Sequence, residues 1–286
     1  MKHRNLCGVA LLLPIIIVSC KRDVQEVPKK DINISSNSTL GNILTDKEGR
    51  TLYFFSNDVN GQNSCTGGCE SLWPVFNIDN FSASSISADL SFSDFATVTN
   101  AGGKTQLTYK GWPLYYYAPL VNGINAIEAP GQTNGEAFNG VWFVAKPDYS
   151  IMISNTQLVG ADGQDYINDS TLGSGKTKYF TDLTGRTLYI FIKDSANINK
   201  YTKPDFSNNA TWPIYETDNV TIPSNLEKTL FSSITVAGKK QLTYKGWPLY
   251  FFSGDAGARG STKGISVPKK GIWPVASKDM AAAPLP

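Results

Sequence analysis

The feature that most constrains the fold of this chain is a ten-residue sequence, QLTYKGWPLY, that occurs twice. It spans residues 106–115 and returns unchanged at residues 241–250. An identical aromatic segment at two distant places predicts a duplicated structural unit, because such units bury their apolar faces against one another. We therefore expect the chain to fold as copies of one unit rather than as a single irregular domain.

Other segments repeat in the same register. The sequence TDKEGRTLY at residues 45–53 returns as TDLTGRTLY at residues 181–189. All six tryptophans form pairs between the two halves: Trp73 with Trp212, Trp112 with Trp247, and Trp142 with Trp273. The distance between paired elements drifts slightly along the chain, which is typical of fixed elements joined by loops of variable length.

Each half divides again into two similar quarter-units. Every quarter-unit carries the pattern Gly-x-x-Leu-Tyr, whose tyrosines are Tyr53, Tyr115, Tyr189 and Tyr250. An aspartate follows in three of the four copies, at Asp58, Asp194 and Asp255. The second copy has Leu120 at that position.

The pattern along the chain predicts an all-β fold. The segments between Gly, Asn, Asp and Pro residues are short and rich in aromatic and β-branched residues, and none keeps helical periodicity beyond a turn or two. We predict two homologous antiparallel β-domains built from the four quarter-units, with a closed four-bladed propeller-like ring as the alternative. The expected boundaries are residues 39–149 and 176–279 for the domains and residues 150–175 for a connecting segment.

The start of the chain has the character of an export signal. A basic start and a short apolar run lead to Ile17-Val-Ser-Cys20, which resembles the bacterial lipobox. We predict a lipoprotein signal peptide over residues 1–19, lipid attachment at Cys20 and a flexible tether over residues 20–38. The alternative is an ordinary signal peptide with a chance cysteine. Lys21 favours the outer membrane under lipoprotein sorting rules.

Removal of that signal would exclude several classes of function. The only histidine, His3, would leave with it, so triads and metal sites that need imidazole are not expected. Lys2 and Arg4 would also leave, making basic and acidic residues equal in number. We therefore expect no nucleic-acid partner.

The motifs together resemble a known bacterial family of secreted-repeat lipoproteins with a Tyr-x4-Asp motif. Tyr53-FFSN-Asp58 fits that motif, Cys65-TGG-Cys69-ESL-Trp73-Pro fits its Cys-x-Gly-x-Cys-x3-Trp-Pro motif, and the repeated decamer fits a third. The resemblance extends from about residue 39 to residue 279. It implies secretion and a lipid anchor, but it implies no biochemical activity.

The cysteine pair Cys65 and Cys69 has three interpretations. In an oxidising compartment a local disulfide is the first, and a redox pair or a copper(I) site is the alternative. The second half keeps Trp212-Pro213 without any cysteine nearby. We therefore expect a disulfide that the fold itself does not require.

The three repeated aspartates are expected to cap turns through backbone N–H groups. The alternatives are a paired-carboxylate catalytic site or calcium ligation. A second oxygen-rich loop contains Asp162, Asp165 and Asp169. Neither region has the spacing of an ordered calcium loop, and we predict no catalytic residue, no metal and no cofactor.

The aromatic runs at residues 115–117 and 250–252 are expected to lie in the core or between repeats. A stacking surface for a glycan or a peptide is the alternative. From the sequence we predict a lipid-anchored cell-envelope protein that is a non-catalytic binding or structural module, attached to the membrane through Cys20. The sequence does not identify its ligand, for which a glycan and an envelope protein are the candidates. The second hypothesis is an envelope redox or metal-handling protein, and a carbohydrate-active enzyme is the weakest.

Overall fold

The computed structural model describes Met1, residues 29–168 and residues 170–286. This part of the chain is almost entirely β-structure with one short helix, α1 (Gly68–Leu72). Its strands are β1 (Ile32–Asn37), β2 (Gly41–Asp46), β3 (Tyr53–Phe55), β4 (Phe95–Thr99), β5 (Thr105–Tyr109), β6 (Trp112–Pro113), β7 (Leu120–Val121), β8 (Ile124–Asn125), β9 (Trp142–Val144), β10 (Met152–Val159), β11 (Asp165–Ile167), β12 (Thr171–Leu172), β13 (Lys176–Thr181), β14 (Phe231–Val236), β15 (Lys239–Tyr244) and β16 (Trp247–Pro248). Short 3-10 helices span Ser56–Asp58, Ala83–Ser85, Phe92–Asp94, Phe138–Gly140, Lys228–Leu230, Ser253–Asp255 and Lys263–Ser266. The predicted all-β fold is confirmed.

An antiparallel pair of strands precedes each Gly-x-x-Leu-Tyr pattern. The pairs are formed by β1 with β2, β4 with β5, β10 with β13, and β14 with β15. In the two decamers the chain then turns at once into β6 or β16. Lys110 and Gly111 have φ of 47° and 78°, and Lys245 and Gly246 have 48° and 82°. Two consecutive positive φ angles are those of a two-residue hairpin turn, in which glycine has no steric cost.

The residues that follow these strand pairs lie side by side and come alternately from the two quarter-units of a half. In the first half Val144 pairs with Tyr53, Tyr53 with Tyr115, and Tyr115 with Val75. In the second half Val275 pairs with Tyr189, Tyr189 with Tyr250, and Tyr250 with Ile214. Each half is thus held by alternating contributions of its two units.

A triangle of three backbone hydrogen bonds occurs four times at these junctions. In the first copy Leu44 N–H donates to Ala145, Ala145 donates to Leu52, and Leu52 donates back to Leu44. The other copies join Leu107, Phe76 and Leu114; Phe180, Ala276 and Leu188; and Leu242, Tyr215 and Leu249. In every copy one residue comes from the partner unit, so neither unit of a pair completes its backbone hydrogen bonds alone.

The two halves also contact each other. Phe143 of the first half packs in a cluster whose other members, Ile153, Phe180 and Leu242 among them, belong to the second. Arg259 of the second half donates to the carbonyl oxygens of Val59 and Lys110, at 2.9 and 2.7 Å. The halves therefore share apolar and polar contacts.

Three predicted boundaries differ from the structure. Residues 32–37, placed in the tether, form β1, and Ile32 is fully buried. The predicted connecting segment, residues 150–175, contains β10, whose pairing with β13 repeats that of β1 with β2. The second half also extends past residue 279, because Ala283 is buried. The signal peptide over residues 1–19 and the lipid site at Cys20 lie outside the described residues.

Candidate functional site

The centre of each half is a pair of stacked indoles. Trp73 and Trp142 lie with ring centroids 3.8 Å apart and planes 1° from parallel. Trp212 and Trp273 repeat this arrangement at 3.8 Å and 6°. All four side chains are 3% exposed or less. These tryptophans are core residues and offer no stacking surface to a ligand.

Two tyrosines meet each indole pair edge-on. Tyr53 approaches Trp73 at 5.4 Å, and Tyr115 approaches Trp142 at 5.0 Å. The counterparts Tyr189 on Trp212 and Tyr250 on Trp273 lie at 5.4 and 5.1 Å. Edge-to-face contacts place the positive ring edge against the negative face of the neighbour. The four-ring arrangement is therefore the same in both halves.

The tyrosine hydroxyl groups bind carboxylates of the opposite unit. Tyr115 donates to Asp58, and Tyr250 donates to Asp194 at 2.7 Å. In the reverse direction Tyr189 donates to Asp255 at 2.7 Å. Each motif tyrosine thus bonds the acid of the neighbouring unit, not the one in its own Tyr-x4-Asp segment.

The unit that lacks the motif aspartate uses a glutamate instead. Tyr53 donates its hydroxyl proton to Glu128, which lies eight residues beyond Leu120. The hairpin of β7 and β8 occupies the added residues. Sequence comparison missed Glu128 because the insertion moves it out of register. The need for an acid here could have been inferred from Tyr53, because a buried tyrosine hydroxyl requires a hydrogen-bond acceptor.

The same carboxylates hold the loops that follow them. The backbone N–H of Ser64 donates to Asp58 at 2.8 Å, and that of Lys200 donates to Asp194 at 2.7 Å. The N–H of Lys263 donates to Asp255 at 2.9 Å. Glu128 accepts from the N–H of Asn134 at 2.9 Å. These are the loop contacts expected of capping aspartates.

Burial raises the pKa of these acids. Desolvation raises the pKa of Asp58 to about 6 despite donors from Ser64 and Tyr115. It raises the pKa of Asp194 to about 6 as well. The pKa values of Asp255 and Glu128 are also raised, with desolvation as the first cause. A carboxyl group of this kind could serve as a general acid, provided that a substrate reached it.

Access for a substrate is small at these acids. Asp58 and Asp194 are buried. Asp255 lines a cleft of about 160 Å³ together with Arg186 and Phe252. Ligand pockets of ordinary size occupy roughly 300–1,000 Å³. The acids are placed to join the units of each half.

The predicted disulfide between Cys65 and Cys69 is present, with the two Cα atoms 5.3 Å apart. Cys65 is fully buried beside Trp73, at the start of the loop that leads to α1. Its backbone N–H donates to the Asn63 side chain at 3.0 Å. In the second half Tyr201 has this position, since its N–H donates to Asn199 at 3.0 Å. Tyr201 packs edge-on against Trp273 at 4.8 Å.

The glutamine that begins each decamer makes buried hydrogen bonds that the sequence did not predict. Gln106 donates to the carbonyl of Leu114 at 2.9 Å and accepts from Asn63 at 2.6 Å. Gln241 repeats both bonds, with Leu249 and Asn199 at 2.9 and 2.8 Å. The repetition of glutamine in an otherwise aromatic segment was the available signal.

The decamer tryptophans have different partners. The Trp112 indole donates to the carbonyl of Leu183 across the two halves, at 2.7 Å. Arg259 lies over the Trp112 ring at 4.9 Å. Trp247 donates to Ala281 near the carboxyl end of the chain, at 2.9 Å. The two indoles are both buried, but they stabilise different junctions.

The aromatic runs cover both faces of their strands. Tyr115 and Tyr117 are buried on one side. Tyr116, on the other side, packs on Phe76 at 5.4 Å and donates to Asp46 at 2.9 Å. Phe251 in the second run lies under the Arg186 guanidinium at 4.1 Å. Neither run is a bare stacking surface.

The oxygen-rich loop has a local role. Asp162 accepts from the Tyr166 hydroxyl at 2.6 Å and from the N–H of Gln164. Asp165 begins β11, and Asp169 lies outside the described residues. In the part of the chain that the structure describes, no group of three or more His, Cys, Asp or Glu side chains could hold a metal ion. Nor does any helix in that part have the length and apolar character to cross a membrane.

The fold and the repeated core define a duplicated all-β repeat protein. Two segments, residues 35–77 and 233–277, match the family model described as a secreted repeat of unknown function. The predicted resemblance is confirmed by this match, and the family description indicates an extracellular or envelope location. Each segment contains most of a hairpin, a Gly-x-x-Leu-Tyr pattern, its aspartate and a Trp-Pro pair. Neither the curated proteins nor the solved structures include a significant match.

Proposed function

We propose that this chain is a lipid-anchored, non-catalytic binding or structural module of the cell envelope, attached to the outer membrane through Cys20. The observation that supports a non-catalytic role is the use of its acids. Asp58, Glu128, Asp194 and Asp255 each bind a tyrosine of the partner unit and a loop amide within the interior. Both oxygens of each of these carboxyl groups accept a hydrogen bond within the fold.

Its rigidity is consistent with a supporting module. Backbone triangles, stacked indoles and tyrosine–carboxylate pairs join the units at several levels. Such a body presents its surface loops in fixed positions, which is what a binding protein needs to limit the entropy lost on association. The surface, not the aromatic centre, is where we place the ligand contact.

The anchor is tested by mass spectrometry of the amino-terminal peptide from envelope-purified protein. We expect Cys20 to be the first residue and to carry the mass of attached acyl chains. In the variant Cys20→Ser we expect the protein to leave the membrane fraction after a carbonate wash. An unmodified Cys20, or a Cys20→Ser protein that resists the wash, would contradict the anchor.

A further inference from the structure

The second quarter-unit has a small hairpin after its Gly-x-x-Leu-Tyr pattern, at a place where the described residues of the other three quarter-units form no such strand pair. Strands β7 and β8 are joined by Asn122 and Gly123, whose φ angles of 51° and 83° form a tight two-residue turn. The base is closed by the N–H of Ala126, which donates to Pro119 at 3.2 Å, and by the Asn125 side chain, which donates to Ala118 at 2.7 Å. The hairpin is therefore an ordered projection.

Four apolar side chains of this hairpin are exposed. Leu120, Val121, Ile124 and Ile127 are 67%, 52%, 72% and 39% exposed. No charged residue occurs from residue 115 to residue 127. Single exposed apolar residues are common, but four on one short hairpin, with Val121 paired to Ile124 beside its turn, are of the kind that marks an interaction site.

The base of the hairpin is connected to the start of β1 through a series of backbone contacts. Strand β1 starts at Ile32, directly opposite Asp46. Asp46 opens a turn that includes Gly49, and the Gly49 carbonyl accepts from the N–H of Gly131 at 2.9 Å. Three residues before Gly131, the N–H of Glu128 donates to Tyr117 at the base of the hairpin, at 2.9 Å. The start of β1 and the hairpin base are thus linked through consecutive contacts.

We propose that the hairpin of residues 118–127 contacts the lipid bilayer, inserting Leu120, Val121 and Ile124 into its interfacial region. This inference rests on the proposed lipid anchor. The eleven residues between Cys20 and Ile32 span about 40 Å at most when fully extended, so the anchor keeps the domain close to the bilayer. An uncharged apolar hairpin gains by leaving water and does not need anionic headgroups.

The test uses the lipidated full chain on phosphatidylcholine and phosphatidylethanolamine vesicles. A cysteine at Val121→Cys carries an environment-sensitive fluorophore, since Cys65 and Cys69 are already paired. The matched control is Leu172→Cys, also in a two-residue strand and 51% exposed. We expect a blue shift and quenching by nitroxide-labelled lipid at position 121 alone, unchanged between low and high salt.

A second arm separates hairpin contact from the anchor. The mature chain, from residue 20 onward and carrying Cys20→Ser, is floated with the same vesicles, with and without Leu120→Ser and Ile124→Ser. We expect weak binding that falls roughly 10-fold or more in the serine variant. A label at position 121 that stays in water on a lipidated protein would overturn the hairpin proposal and leave the anchor standing. Equal signals at positions 121 and 172 would also overturn it. A blue shift at position 121 that increases with protein concentration in the absence of vesicles would overturn it as well, and would show that the hairpin contacts a second copy of the chain.

Discussion

The loops that follow Asp58 and Asp194 share the same hydrogen bonds, but a different group packs against the indole pair in each. In each loop an aspartate binds the amide six residues later, and an asparagine binds the decamer glutamine. The residue directly after that amide is Cys65, bonded to Cys69, in the first half and Tyr201 in the second. The fold requires these hydrogen bonds and a group that packs beside the indole pair. In the first half that group is a disulfide, and in the second it is a tyrosine ring.

The decamers make a second comparison. Their ten residues are identical, yet Trp112 joins the two halves while Trp247 binds the carboxyl-terminal segment. A repeated sequence therefore preserves what a unit does internally, but it does not determine what the unit packs against. The following predictions test how far the two halves are equivalent.

The largest effect is expected at the indole stacks. Trp142→Ala and Trp273→Ala should each lower the free energy of unfolding by about 3–5 kcal/mol, because each opens a cavity in a buried aromatic centre. Denaturant unfolding measures both values. If the halves are equivalent, the two losses agree to about 1 kcal/mol. A loss below about 1 kcal/mol at either position would break the comparison.

The second prediction concerns pH. The pKa values of Asp58 and Asp194 are raised to about 6 in the folded protein, above the ordinary value of 3.8. The folded state therefore binds these protons more tightly, and the associated stability is complete below about pH 4 and lost as pH rises through about 6. The loss is about 3 kcal/mol for each group.

Urea unfolding between pH 4 and pH 7 measures this dependence. The single variants Asp58→Asn and Asp194→Asn should each remove a similar part of it. A pH dependence that survives in both variants would show that other groups cause it.

The third prediction compares the Cys65–Cys69 disulfide with Tyr201, the groups that pack beside the two indole pairs. The double change Cys65→Ser and Cys69→Ser should cost about 2 kcal/mol, the value for closing so short a loop. Tyr201→Ala should cost a similar amount through its lost contact with Trp273. Both proteins should keep the native near-ultraviolet circular dichroism of the tryptophans. Its disappearance after loss of the disulfide would mean that the first half needs the bond to fold.

Much of this arrangement could be predicted from the sequence, because identical letters and matched tryptophans report duplication directly. The partners of the motif acids could not. Tyr53 and Asp58 are neighbours in the chain, so the motif suggested one local unit. The structure pairs Tyr53 with Glu128 and Asp58 with Tyr115, and only the interleaving of units brings those residues together.

The predicted boundaries differ from the structure for a related reason. The segment INISSN at residues 32–37 is polar and resembled a tether. It is a strand because β2 supplies its hydrogen bonds and Ile32 enters the core. A short polar strand has little propensity of its own, so its structure is decided by a partner that the local sequence does not reveal.

The smallest effect is expected at the decamer tryptophans. Trp112→Phe should cost about 1–2 kcal/mol, since it leaves the buried Leu183 carbonyl without its donor. Trp247→Phe should cost roughly half as much, because residues near the chain end can move to recover a partner for Ala281. Denaturant unfolding distinguishes the two. Equal costs would show that the junction between the halves adds nothing to this contact.

The central claim is that each half is joined by tyrosines that bind the acid of the opposite unit. Carboxyl-carbon NMR titration of Asp58 and Asp194 tests it directly in the native protein and in Tyr115→Phe and Tyr250→Phe. The native pKa values should both be about 6. Loss of the hydroxyl donor should raise the pKa of Asp58 only in Tyr115→Phe and that of Asp194 only in Tyr250→Phe. Ordinary values near 4, or a shift at the wrong aspartate, would contradict the account.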